Sequence, residues 1–174
     1  MDLKAKSYYD EKNEILMPET LTVGRGCFRV FYNQHFKDAI KYYIKKRYDR
    51  EITKNSDLIN EVVLIDLVTI YEEDYFRTYQ DDLGHYFRHL YHMVRMVDRA
   101  DIGNKDDYTR IIRAQMSTYE SIMLFYNGLS KYSKEFKPFI TKYALLKGLD
   151  FNLLINKNAD KYSSDSYTKD AFGE

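Results

Sequence analysis

The chain has 174 residues, a 44% hydrophobic share and equal numbers of basic and acidic side chains, 27 of each. That length fits one domain whose core needs no staple, and a formal charge of zero gives no global field toward nucleic acid or acidic lipid. A single cysteine, Cys27, excludes an internal disulfide and any multi-cysteine metal site, and suits a reducing compartment.

The opening residues, Met1 to Lys6, lead into polar sequence and lack the apolar stretch of a signal peptide. Apolar runs are short, as in Val62–Ile65, whereas a membrane span needs about 20 residues. The chain therefore reads as soluble and cytoplasmic, with no membrane segment. Only two prolines occur, Pro18 and Pro138, which leaves room for long helices. The 18 tyrosines fall at helical rather than alternating spacing.

The expected fold is all-α, a bundle of about five main helices, with residues 1–21 as an N-terminal extension, 22–157 as the helical domain and 158–174 as a mobile polar tail. The first helix is predicted from Thr22 to Asp49, with Phe28, Phe31, Tyr32 and Phe36 on one side. The second follows the N-cap cluster Asn55-Ser56-Asp57 and runs to about Gln80. Leu58, Val62, Ile65 and Phe76 share one of its faces, and Val63, Leu67 and Ile70 widen it. The third, Asp82 to Arg99, carries Leu83, Phe87, Leu90, Val94 and Val97 on one stripe. The fourth is predicted from Asp106 to Leu129, burying Ile111, Gln115, Tyr119, Ile122 and Tyr126. The fifth begins near Lys134 and ends before Gly148, followed by a short apolar stretch, Phe151 to Ile155, that can dock.

The third helix is the informative one. Opposite its apolar stripe, His85, Arg88, His92, Arg95 and Arg99 fall within about 80° of one another. Imidazole moves protons near neutral pH, and guanidinium stabilises charge on a phosphoryl group. Together they suffice for RNA cleavage without a metal, the ribose 2′-hydroxyl serving as nucleophile. A solvated face, its arginines paired with acids, is the plainer explanation of the spacing alone.

On the fourth helix Arg113, Glu120 and Asn127 stand seven residues apart, beside the Gln115 that interrupts the apolar stripe. Polar groups next to a core need partners. Arg113 and Glu120 are expected to reach Arg88 or His92, either aiming them for chemistry or forming a structural network.

Other sites find less support. His85 and His89 have the i, i+4 spacing for a shared cation, but HExxH is absent and Arg88 and Arg95 stand nearby, so no metal or other cofactor is assigned. Gly24-Arg25-Gly26 lacks the spacing of a phosphate-binding loop. The basic run Lys41, Lys45, Lys46, Arg47 and Arg50 sits where cations meet the negative end of a helix dipole, with RNA contact as the alternative.

The segment Asp82-Leu-Gly-His-Tyr-Phe-Arg-His-Leu-Tyr-His92 resembles the central motif of the phage abortive infection family, the AbiC-like proteins. So does Arg113-Ala-Gln-Met-Ser-Thr-Tyr-Glu120, continued by Leu124-Phe-Tyr-Asn127. Gly24-Arg-Gly-Cys-Phe28 is similar to that family's opening helix, and Phe136-Lys-Pro-Phe-Ile140 with Tyr143-Ala-Leu-Leu146 to its closing one. The resemblance implies bacterial antiphage defence, in which an infected cell stops growing or dies before phage mature.

A weaker similarity is to the HEPN ribonucleases, which carry an Arg-then-His motif on a helix and act as dimers. It implies catalytic roles for Arg88 and His92 only, in a homodimer acting on RNA; the supporting polar network of His85, Arg95, Arg113, Gln115, Glu120 and Asn127 is the one their helical spacing suggests. Only three residues separate Arg88 from His92, fewer than that superfamily's usual four to six. The alternative is a non-catalytic sensor or interaction module that recognises a phage or host protein.

Overall fold

Four aromatic residues near the start of the first helix set the core. Phe28, Phe31, Tyr32 and Phe36 are all buried, as their spacing predicts. The computed structural model describes residues 4–6, 21–49, 63–155 and 166–174. Strand β1 (Lys4–Lys6) pairs antiparallel with β2 (Leu21–Val23), a two-stranded addition to a helical fold. The chain then enters α1 (Gly26–Val30), a π-helical turn (Phe31–Phe36) and α2 (Lys37–Tyr48), joined without leaving helical geometry. Asp49, at φ 50, closes that rod.

A second rod repeats the design. Helix α3 (Leu64–Ile70) passes through a π-helical turn (Tyr71–Phe76) into α4 (Arg77–Arg99). The second and third helices expected from sequence are thus one rod, bent at Tyr79 (φ −111, ψ 16). A π turn bonds i to i+5 and so brings residues five apart onto one side, here Phe31 with Phe36 and Tyr71 with Phe76. The two turns face each other: the Phe36 ring lies 5.8 Å from Tyr71 and 5.2 Å from Tyr75. Burying each such ring contributes about 2 kcal/mol, which makes this aromatic knot the centre of the fold.

The α4 stripe is as expected, with Leu83, Phe87, Leu90, Val94 and Val97 all buried. On α3 the wide apolar surface narrows: Leu67 and Ile70 are buried while Val63 and Ile65 face solvent. The N-cap cluster at 55–57, with Leu58 and Val62, lies outside the described residues.

The expected fourth helix is two. Helix α5 (Lys105–Ala114) ends, the chain turns through Gln115, Met116 and Ser117, and α6 (Thr118–Leu129) begins. The cause is local: Ser117 and Glu120 form a reciprocal capping box that satisfies the first free N–H groups of α6. Because the helix restarts, Ile111 and Gln115 face solvent, and only Ile122 and Tyr126 of the expected stripe are fully buried.

Helix α7 (Lys137–Lys142) opens with Pro138 in its first turn, where a missing N–H costs nothing. It stops well before Gly148, because Ala144 turns left-handed at φ 47. Phe151–Ile155 does dock: Leu154 and Ile155 are buried, the Ile155 N–H donates to the Tyr126 hydroxyl at 3.0 Å, and the Tyr32 hydroxyl donates to the Leu153 carbonyl.

The last nine residues correct the expectation of a mobile tail. Tyr167, Ala171 and Phe172 are buried, and the Tyr167 hydroxyl donates to the Phe125 carbonyl at 3.1 Å. Gly128 makes room for this, since a Cβ there would lie 2.1 Å from the Tyr167 hydroxyl oxygen. The fold is an all-α bundle of five helical rods among the described residues, with α4 flanked by α5 on one side and by the α6–α7 connection on the other.

Candidate functional site

The polar face of α4 is exposed along its length. His85, Arg88, His92 and Arg99 are exposed and Arg95 is half-buried, its guanidinium 5.7 Å above the Tyr91 ring. No described residue makes a hydrogen bond or ion pair with Arg88 or His92. Among the described residues the His92 ring neighbours only that of Tyr91, at 5.1 Å.

Two cavities of about 450 Å³ each flank this helix. They divide the residues that the sequence suggested as one network. The first lies between α4 and the segment that follows α6, and brings Arg88 together with Asn127. Gly84, one turn before Arg88, lines it too. An interior helix glycine costs about 1 kcal/mol relative to alanine, and a Cβ here would meet Arg88 Nη2 at 3.6 Å and Phe76 Cζ at 3.8 Å, both ordinary contacts.

Asn127 is fully buried and its amide is held from both ends. Its Nδ2 donates to the Tyr71 hydroxyl at 2.9 Å, and its Oδ1 accepts from the Ser133 hydroxyl. Burial pushes the Tyr71 phenol far above the ordinary range, while the Asn127 N–H that its oxygen accepts works in the opposite direction. Around them stand Phe76, Phe87, Tyr91, Tyr132 and Phe136, with Asp81 and Glu135 as exposed carboxylates.

The second cavity lies between α4, α5 and the start of α6, where the break at residues 115–117 leaves a re-entrant corner. Leu90, Met93, Ile112 and Met116 give it an apolar wall, and Gln115, Glu120 and His89 line it. Glu120 is 2% exposed. Its Oε2 accepts the Ser117 N–H at 2.6 Å, and the carboxylate stands near the Tyr86 hydroxyl. Burial first, then this carboxylate, raises the Tyr86 phenol well above its usual range.

The expected bridge from Arg113 and Glu120 to Arg88 or His92 is therefore not made. Glu120 faces the opposite flank of α4, where its own helix cap holds it near Tyr86. Arg113 donates instead to the carbonyls of Ala144 at 3.0 Å and Tyr143 at 3.4 Å, tying α5 to the end of α7. The reason is the restart at Ser117, which abolishes the shared line on which Arg113, Glu120 and Asn127 would have stood. His85 and His92 line neither cavity.

Sequence spacing missed Tyr71 and Ser133, which orient Asn127, and the carboxylates of Asp81 and Glu135. One available signal was Gly84 inside a strong helical pattern. Another was Ser117-Thr-Tyr-Glu120, which has the form of a capping box and marks a helix start.

Among the described residues, no group of three or more His, Cys, Asp or Glu side chains is placed to hold a metal ion. Nor is any helix long and apolar enough to cross a membrane.

No curated protein and no solved structure matches the chain. Residues 78–154 match the family model described as "Putative phage abortive infection protein". That span holds α4 from its second residue, both central motifs, the closing helix and both cavity-lining faces of α4, while the opening motif at Gly24–Phe28 lies outside it. Over residues 78–154, the likeness of this chain is to the phage abortive infection family.

Proposed function

We propose that the chain is an antiphage protein of the abortive-infection type, working by recognition of a phage or host component at the cleft shared by Arg88 and Asn127. One observation carries this reading. Within the family-matched span, Arg88 stands at a cleft of about 450 Å³ without a hydrogen bond or ion pair to any described residue. An exposed guanidinium with no hydrogen bond or ion pair among the described residues is available to a ligand. Phage plaque counts on cells carrying the wild-type protein or Arg88→Ala test it. Loss of protection with unchanged folding supports the cleft, and full protection by the variant excludes it.

A second reading is metal-independent ribonuclease action by a homodimer in the cytoplasm. It is favoured by Arg88 and His92 standing one turn apart, both exposed on the same helix. His92 would act as general acid or base toward the 2′-hydroxyl, and Arg88 would stabilise the phosphorane-like transition state. Against it, no described hydrogen bond orients the His92 imidazole. Incubating the protein with total RNA in chelator decides between the two. Cleavage lost in both Arg88→Ala and His92→Ala selects the nuclease. Protection without cleavage selects recognition.

A further inference from the structure

We propose that the cavity between α4, α5 and the start of α6 binds an apolar α-amine, its ammonium held at Glu120 and its side chain against the aliphatic wall. A free hydrophobic amino acid and the amino end of an apolar peptide share that chemistry. The site lies on the opposite flank of α4 from Arg88, so it stands or falls independently of the Arg88 cleft.

The wall sets the apolar half of the ligand. At about 450 Å³ the cavity has the volume of a small-ligand site. Leu90 and Met93 of α4, Ile112 of α5 and Met116 of the turn line it. Leu90 is buried, but Met93, Ile112 and Met116 are only half-buried, and Ile111 beside them is 60% exposed. Such surface leaves water and gains contacts when an apolar group fills the corner. The two thioethers adapt to side chains of different shape.

A carboxylate stands in this apolar corner. Glu120 lines the cavity at 2% exposure and has no ion pair among the described residues. Its helix cap uses Oε2, which accepts the Ser117 N–H. A carboxylate has about four acceptor sites, and a buried one is stable only when charge and hydrogen bonds answer it. An ammonium brings a positive charge and three N–H donors. A hydroxyl brings one donor and no charge, and a hydrocarbon brings neither.

Arg25 makes the ligand an α-amine rather than a simple alkylamine. It lines the same cavity with its side chain exposed, and no ion pair among the described residues joins it to Glu120. Glu120 raises the Tyr86 phenol and Arg25 lowers it, so both charges stand near that one hydroxyl. In an α-amine the ammonium and the carbonyl group are attached to the same carbon. A ligand with its ammonium at Glu120 therefore turns an acceptor, carboxylate or peptide carbonyl, toward Arg25, whose guanidinium suits either. A lone alkylammonium would meet only the like charge there.

Calorimetric titration of the full chain with leucine, leucinamide and trileucine amide tests the proposal, with N-acetylleucinamide and glycinamide as controls. At least one of the first three is expected to bind about tenfold more tightly than either control, because the acetyl compound lacks the charge and glycinamide lacks the side chain. Tightest binding by leucine assigns the site to free amino acids, and tightest binding by trileucine amide assigns it to peptide ends. Glu120→Gln keeps a side chain that can complete the cap, and Met116→Ala removes part of the wall. Each is expected to weaken binding by about tenfold, with melting temperatures confirming that both fold. Were Glu120→Gln to unfold, the acetylated control alone decides the role of the charge. No binding by any of the three amines at millimolar concentration, equal binding of N-acetylleucinamide, or binding unchanged in a folded Glu120→Gln overturns the proposal.

Discussion

Ser117 and Glu120 cap each other. The Ser117 N–H donates to Glu120 Oε2 at 2.6 Å, and the Glu120 N–H donates to Ser117 Oγ at 3.3 Å. This pair starts α6, opens the corner that becomes the second cavity, and turns Glu120 away from Arg88. Replacing the cap oxygen, Ser117→Ala, is expected to cost about 1 kcal/mol of folding stability. Urea unfolding measures it; a midpoint unchanged from wild type would show that the cap is not what holds the helix start.

Tyr71 and Tyr75 make a paired prediction. Both are fully buried, but the Tyr71 hydroxyl holds Asn127 while the Tyr75 hydroxyl has no hydrogen-bond partner among the described residues. Tyr71→Phe strands the Asn127 amide and is expected to cost about 1–3 kcal/mol. Tyr75→Phe removes an unsatisfied buried group and is expected to be neutral or stabilising by about 1 kcal/mol. Thermal melts of the two variants should move in different directions or by clearly different amounts.

Gly128 is the close approach between α6 and the C-terminal segment. A Cβ there would lie 2.1 Å from the Tyr167 hydroxyl oxygen and 2.5 Å from Ile140 Cδ1, neither with room to retreat inside a packed core. Gly128→Ala is expected to destabilise by about 1–3 kcal/mol and to expose residues 166–174 to limited proteolysis. Adding Tyr167→Phe removes the closest atom and should recover part of the loss.

Asp98 at the end of α4 gives a pH dependence. Its Oδ1 accepts from Lys142 Nζ at 2.6 Å and from the Tyr143 hydroxyl at 2.7 Å, and these hydrogen bonds hold the carboxyl below its ordinary 3.8. The same contact raises Lys142 above 10.5. A depressed carboxyl stabilises the fold above its unfolded value, and that contribution disappears as pH falls through the folded one. The raised lysine contributes below 10.5 and loses its share as pH climbs through its folded value. The melting-temperature gap between wild type and Asp98→Asn should therefore be open at neutral pH and close in acid below 3.8. A gap constant through acid would show that the ion pair is not its source.

Much of the helical architecture follows from local rules. The stripe Leu83, Phe87, Leu90, Val94 and Val97 is buried because five apolar residues on one face leave a helix no other way to lie. The aromatic face of the first helix follows likewise, since its rings have few alternatives to a core. Even the restart at Ser117 was written locally, in a Ser and a Glu three residues apart, although continuing apolar periodicity concealed it.

What only the tertiary structure decided is which polar side chains meet. Arg88 is exposed and Asn127 buried for reasons that lie on other elements: Tyr71 on the second rod and Ser133 after α6 complete the amide's bonds from 56 and 6 residues away. A polar group does not announce its partner through spacing on its own helix, because the partner is set by how the helices cross. Periodicity therefore placed the core, while the presence of Arg88 and Asn127 at one cleft, and the separation of both from Glu120, depended on packing between rods.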